Sequence, residues 1–361
     1  MLRRLAGLAG LILLGCAAPA LAQSSIQAQA TEGDFVVRDF RFRSGETLPE
    51  LRLHYTTLGQ PRRDAQGHVV NAVLIMHGTG GWGGNFFRPQ FADVLFKPGG
   101  LLDPAKYYII LPDDLGHGKS SKPSDGLHAR FPKYGYHDMV EAEHRLVHDG
   151  LKVDHLRLVM GTSMGCMHAF MWGEAYPDEM DALMPLACLP SQIAGRNRLW
   201  RRMVITAITS DPAWQGGEYK TPPLAGLRTA ADFLMIAGSA PIQMQKDLPT
   251  RDAADAYEAE HVATYLKELD ANDFLYAVAS SGDYDPSPDL EKIKAPVLWI
   301  NSADDFINPP SLPIAAELAK RIPHGRYIVI PASEQTHGHG THTWAAVWQD
   351  RLAELLKETD R

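Results

Sequence analysis

Residues 155–176 read HLRLVMGTSMGCMHAFMWGEAY. The stretch changes its period at the centre. HLRLVM is short and apolar, the composition of a strand buried on both faces. GCMHAFMWGEAY carries apolar positions at helical spacing. Between them, Gly161-Thr162-Ser163-Met164-Gly165 leaves room only for a sharp strand-to-helix turn. Such a turn pushes its central side chain outward, and small flanking residues let the backbone pass close by. The helix begins at once, so its positive end lies under Ser163. Five letters of this kind recur by chance as an ordinary βα turn with an incidental serine. Their placement between a strand and a helix makes Ser163 a candidate nucleophile.

A serine hydroxyl is a weak nucleophile and needs a base and an orienting acid. Sheets with such a turn supply them in the chain order Ser, Asp or Glu, His. Residues 296–310, PVLWINSADDFINPP, run a buried strand directly into two acids. Asp305, four residues before Pro309, is the preferred triad acid; Asp304 would turn outward or cap the loop. The next strand, YIVIP, leads to residues 335–344, QTHGHGTHTW. His339, between two glycines, is the expected base. His342 ranks behind it, in the first turn of a C-terminal helix, and His337 last. H-x-H-x-x-H could ligate zinc, but a serine and an aspartate already placed give the imidazole a better use. No metal and no cofactor are expected. The oxyanion of acyl transfer needs donors. The turn His77-Gly78-Thr79-Gly80-Gly81 follows an early strand and offers the Thr79 N–H; the Met164 N–H is the second choice. His77 reads as a structural, hydrogen-bonded histidine. His117 and His168 default to structural roles, though His168, one turn past Ser163, could line the pocket.

Apolar runs at residues 71–77, 107–112, 155–160, 182–188, 296–301 and 327–331 alternate with helical spacing at 137–149, 164–176, 312–321 and 343–357. This alternation implies an α/β protein with a mostly parallel sheet flanked by helices. Residues 35–42 and 51–57 read as an antiparallel pair leading into it. Between 189 and 289 no buried strand is evident. Helix-like stretches at 196–209 and 253–279 are separated by Gly/Pro-rich loops such as GGEYKTPPLAGL, which implies a helical cap inserted into the core. The organisation is thus core 23–188, cap 189–289 and core 290–361.

The chain has 361 residues, 45% hydrophobic and 22% charged, with formal charge −8. It can bury a large core, and its acidity excludes a basic nucleic-acid face. Residues 1–22 place Arg3 and Arg4 before an apolar run and the small-residue pattern Ala20-Leu21-Ala22, the layout of a cleaved secretory signal peptide. Leu13-Leu14-Gly15-Cys16 is the competing lipoprotein reading, and only lipidation of Cys16 would bring the chain to a membrane. Either way the expected location is periplasmic or secreted. Cys166 and Cys188 then remain; they read as buried free thiols, with a single bridge as the lesser alternative.

Several stretches resemble the homoserine O-acetyltransferase branch of the α/β-hydrolase superfamily. They are NAVLIMHGTGG, KPGGLLDPAKYYIILPDDLGHGKSSKPS, GTSMGCMHAFMWGEAYP, RNRLWRRMVITAITSDPAWQGGEY, DANDFLYAVASSGDYD and IKAPVLWINSADDFINPP. The similarity runs from about residue 50 to 345. It implies the α/β-hydrolase fold, with Ser163 as nucleophile, Asp305 as acid, His339 as base, and Thr79 and Met164 as oxyanion positions. Three departures point away from homoserine as acceptor. That family tends to have Gly at Thr162 and Gln at His168, and its arginine-containing stretch before DANDFLYA is missing here. The expectation is therefore an exported serine hydrolase acting on a small acyl ester through an acyl-Ser163 intermediate. The rivals are an O-acyltransferase and a non-catalytic binding protein on the same scaffold. The cap is the face expected to carry any homodimer contact.

Overall fold

The computed structural model describes residues 24–360. The leader reading of residues 1–22, with its lipoprotein alternative at Cys16, lies outside the described residues. Eight strands form one sheet: β1 (Thr31–Arg41), β2 (Thr47–Leu58), β3 (Ala72–Met76), β4 (Tyr108–Pro112), β5 (Leu158–Thr162), β6 (Leu183–Leu186), β7 (Val297–Ser302) and β8 (Gly325–Ile330). Their order is β1-β2-β4-β3-β5-β6-β7-β8. From β4 to β8 every neighbouring pair is parallel. β1 and β2 pair antiparallel, in the register Phe35↔Leu53, and β2 runs antiparallel to β4. Strands β3 to β7 are buried along their whole length, which is why they read as unbroken apolar runs.

Alternate residues of each strand serve opposite faces. Leu74, Met76, Ile110 and Val159 face one core layer, which holds α2 (Tyr136–Arg145) and α3 (Met164–Ala175). Val73, Ile75, Ile109 and Met160 face the other, with α1 (Pro89–Leu95) and the C-terminal helix, residues 349–358. Between β6 and β7 come α4 (Gly195–Ser210), α5 (Leu224–Ala237), α6 (Pro241–Asp247), α7 (Arg251–Glu268) and α8 (Ala271–Ala279). They enclose a separate apolar cluster built on Trp200, Val204, Leu227 and Phe274. The remaining helices are α9 (Ile314–Ala319) and α10 (Gln349–Glu358).

Four features differ from the sequence reading. The single helix expected at 253–279 is two. Asp270 breaks it: its carboxylate accepts from the N–H groups of Asn272 (2.9 Å) and Asp273 (3.0 Å), capping a new helix. The loop GGEYKTPPLAGL already contains the first turn of α5, which starts after Pro223. The helix expected from Thr343 begins only at Gln349. Residues 338–343 and 345–347 form tight 3₁₀ turns instead, and the buried Trp348 indole donates to the Thr341 carbonyl at 3.2 Å. Lastly, Cys166 and Cys188 are not free thiols but a disulfide, with Cα atoms 5.8 Å apart. Parallel pairing of β5 with β6 brings the end of β6 over the first turn of α3, within bridging reach.

The bridge closes a loop with a sequence separation of 22. Chain entropy gives such a link about 3 kcal/mol. Urea unfolding of C166A/C188A is expected to fall short of the parent by that order, with the parent in reductant matching the double variant.

Candidate active site

Ser163 occupies a left-handed backbone conformation, φ +56°, a strained state for a residue with a Cβ. Its surroundings hold it there. The Ser163 N–H donates to the Leu186 carbonyl at 2.9 Å, and the Gly165 N–H to the His77 carbonyl at 2.9 Å. Both strands flanking β5 therefore grip the turn. A Cβ at Gly161 would run into the Gly165 carbonyl, and one at Gly165 into that of Met76. The glycines at both flanks are thus required by contact.

Ser163 Oγ lies 2.8 Å from His339 Nε2, and His339 Nδ1 lies 2.9 Å from Asp305 Oδ2. The serine hydroxyl donates to Nε2 while Nδ1–H donates to the carboxylate, the tautomer a general base requires. Asp305 is 2% exposed. Burial alone would raise its carboxyl. The charge and hydrogen bond of His339, with the N–H groups of Asn308 and Ile307, outweigh that and hold it below the ordinary carboxylate range. Asn308 Nδ2 also bridges the Ala187 carbonyl (3.0 Å) and Asp305 Oδ2 (3.3 Å). The arrangement can remove a proton from Ser163 and stabilise the imidazolium that results.

The neighbouring acid does a different job. Asp304 Oδ2 accepts from Thr336 Oγ1 at 2.8 Å and from the Gly338 N–H at 3.1 Å, which fastens the histidine loop. Of the three histidines in that loop, His339 reaches Ser163. His337 stacks on Trp344 with ring centroids 3.7 Å apart. His342 packs edge-on against His339 at 5.3 Å. Burial, reinforced by His339, pushes its imidazole down to about 3, so it stays neutral. His77 is structural: Nδ1–H donates to the Gly78 carbonyl at 2.8 Å, and Nε2 accepts from the Asp114 N–H at 3.1 Å. His117 is buried, its imidazole likewise pushed down to about 3. His168 is fully buried against Glu143, away from the cavity at Ser163.

That cavity measures about 330 Å³ and is lined by Gly78, Thr79, Ser163, Arg201, Ile307 and His339 among others. Thr79 thus sits at the site. Met164 is the first residue of α3, where its N–H belongs to the unpaired, positive end of the helix. Arg201, on cap helix α4, was not foreseen. It is fully buried, donates to Asn197 (2.9 Å) and Ser281 (3.2 Å), and packs over the Trp200 ring. Nothing in WRRM distinguishes it from the exposed Arg202 beside it; only the docking of α4 does.

A family model described as the alpha/beta hydrolase fold matches residues 71–335. A homoserine O-acetyltransferase of Haloferax prahovense is 31% identical over 309 residues, covering 72% of this chain and 71% of that one. A probable acyltransferase of Methanothermobacter thermautotrophicus is 28% identical over 303 residues, covering 82% and 89%. Among solved structures, the acetyl esterase MekB superposes with a TM-score of 0.78 at 23% identity, over 92% of this chain and 98% of that one. Identity that low speaks to the fold alone. Together with the family match and the relative above 30% identity, these findings show that the chain is an enzyme of the α/β-hydrolase fold family, in its homoserine O-acetyltransferase-like branch.

Proposed function

We propose that the protein is an exported carboxylic ester hydrolase that cleaves small acyl esters through an acyl-Ser163 intermediate. The observation that carries this reading is the unbroken relay from Ser163 Oγ to His339 to Asp305, at 2.8 and 2.9 Å. Ser163 Oγ attacks the ester carbonyl carbon as His339 Nε2 takes its proton. The N–H groups of Thr79 and Met164 receive the oxyanion. The tetrahedral intermediate collapses, and His339 returns its proton to the departing alcohol. A water, deprotonated by the same imidazole, then attacks the acyl carbon and restores the serine. A cavity of about 330 Å³ supports a short acyl group. The disulfide supports an oxidising compartment, in keeping with the leader read from residues 1–22.

The second reading keeps the acyl-enzyme and passes it to an alcohol acceptor. It is favoured by the relatives named as acyltransferases. Export argues against it, because acyl-CoA donors are cytoplasmic. Periplasmic fractionation of cells expressing the full chain tests the location. Recovery only in the cytoplasm would return the transferase to first place.

Hydrolysis of p-nitrophenyl acetate, unchanged by added amino-alcohol acceptors, is the expected outcome for the esterase. Acceptor-dependent acyl-CoA consumption would favour the transferase. Fluorophosphonate should label the parent and not S163A. H339A and D305N should each lower kcat by about 10⁴-fold, while H337A stays close to the parent. A subtler test uses Gly78, where a Cβ would stand 3.1 Å from Ser163 Cβ and 3.7 Å from Oγ. G78A should fold normally by circular dichroism yet lose on the order of 10²-fold in kcat, because the nucleophile is displaced.

A further inference from the structure

Beneath the nucleophile, ionisable side chains that the acyl-transfer steps do not use converge from four elements. His77 follows β3, Asp114 follows β4, Glu143 sits on α2, and His168 sits on α3 five residues after Ser163. None is more than 2% exposed. Ligand-type atoms of Asp114, Glu143 and His168 all lie within 4.8 Å of one another.

The donors are unevenly shared. Glu143 receives His168 Nδ1–H on Oε1 and Trp172 Nε1–H on Oε2, each at 2.8 Å. Neither carboxyl oxygen of Asp114 accepts a hydrogen bond. The two imidazoles nearest Asp114, those of His77 and His168, stand 3.7 Å from Oδ2. Neither can supply a donor. His77 Nδ1–H is committed to Gly78, its Nε2 accepts from the Asp114 N–H, and His168 Nδ1–H is committed to Glu143. Among the described residues no lysine or arginine forms an ion pair with either acid. A buried carboxylate with no donor is expensive, and two acids this close cannot both ionise.

We propose that Asp114 is held as a neutral carboxylic acid, its O–H donated to the Glu143 carboxylate, and that this proton clamps together the two loops of the active site. The arrangement removes both problems at once. Glu143 gains a third donor, and Asp114 carries no charge. Burial first, then the charge of Glu143, raises the Asp114 carboxyl well above its ordinary range. The other groups facing the pair are the hydroxyl of Tyr134, the phenol of Tyr176 toward Glu143, the ring of Tyr136 edge-on to His168, and His117 against His77. None carries a positive charge that would favour ionised Asp114: the phenols are neutral and burial keeps His117 unprotonated.

The clamp reaches the catalytic atoms by two routes. The Asp114 backbone holds His77, which holds the Gly78 carbonyl, and Gly78 abuts Ser163. His168 anchors α3, whose first turn carries Met164 and docks through Gly165 on the His77 carbonyl. Losing the Asp114 proton places two charges in one dry pocket and pushes these routes apart. Asp114 is thus a positioning residue. Its kinetic consequence rests on the hydrolase reading, but the protonation does not.

Infrared spectroscopy of the full chain tests the proton directly. In mildly alkaline buffer the wild type should show a protonated-carboxyl carbonyl band that moves on ¹³C-aspartate labelling and vanishes in D114N. Native Asp114 keeps a proton that the unfolded chain has released. Stability should therefore fall as pH rises above the ordinary carboxylate range, and D114N should flatten that slope. With p-nitrophenyl acetate, D114A should lose about 10²-fold in kcat with little change in KM. Parent kcat should fall at alkaline pH as Asp114 ionises; D114N, a neutral donor of the same shape, should recover most of the D114A loss and lack that fall. Should D114N fail to fold, the labelled wild-type band still decides. A missing band, D114N falling as far as D114A, or one tightly held equivalent of divalent metal by elemental analysis would overturn the proposal. A band in a protein without esterase activity would leave the proton standing and sink the hydrolase reading.

Discussion

One residue in an unfavourable backbone state organises this molecule. Ser163 has positive φ because strand and helix meet there without an intervening loop, and the sheet on either side pins the junction. Two backbone hydrogen bonds do the pinning, one to the strand on each flank: Ser163 N–H to Leu186 and Gly165 N–H to His77. Those bonds exist only if β3, β5 and β6 are adjacent and parallel. The strain is thus tolerable only within the assembled sheet. Asp305 and His339 then need no backbone strain of their own. They arrive on loops after β7 and β8, at the same edge.

Division of labour between adjacent side chains recurs around the site. Asp304 and Asp305 are neighbours in sequence but bind different partners. One fastens the Thr336–Gly338 backbone, the other orients the His339 ring. His339 and His342 face each other, yet only one has a carboxylate and a hydroxyl on its two nitrogens. Below the serine, Glu143 has its donors and Asp114 does not. In each case burial makes the hydrogen-bond inventory decisive, because an unpaired polar atom has no water to turn to.

Much of this was legible in the chain. Strands buried on both faces announce themselves as continuous apolar runs, so β3 to β7 could be located from the sequence, and the apolar composition of the partly exposed β8 and the alternation of the β1–β2 pair placed those as well. The turn at Ser163 was legible because glycine spacing reflects contacts no other residue permits. What stayed hidden depends on tertiary neighbours. The break before α8 hinges on one Asp270 carboxylate choosing a backbone partner. The late start of α10 hinges on Trp348 burying its indole against Thr341. α5 stayed hidden because the prolines of GGEYKTPPLAGL read as loop punctuation, while Pro223 in fact precedes the first helical residue; Pro241 likewise opens α6. Arg201 and the Asp114–Glu143 contact join residues far apart in sequence, and the cysteine pair joins elements no local pattern links.

That cysteine pair has a consequence for the order of assembly. Both thiols lie upstream of every cap helix and of the loops carrying Asp305 and His339. The link therefore requires only β5, α3 and β6 in place. In a chain that emerges from its N-terminal end, the nucleophile can be locked into its final geometry while the base and acid are still to come. During that interval the serine has no relay behind it, because Asp305 and His339 both lie further along the chain.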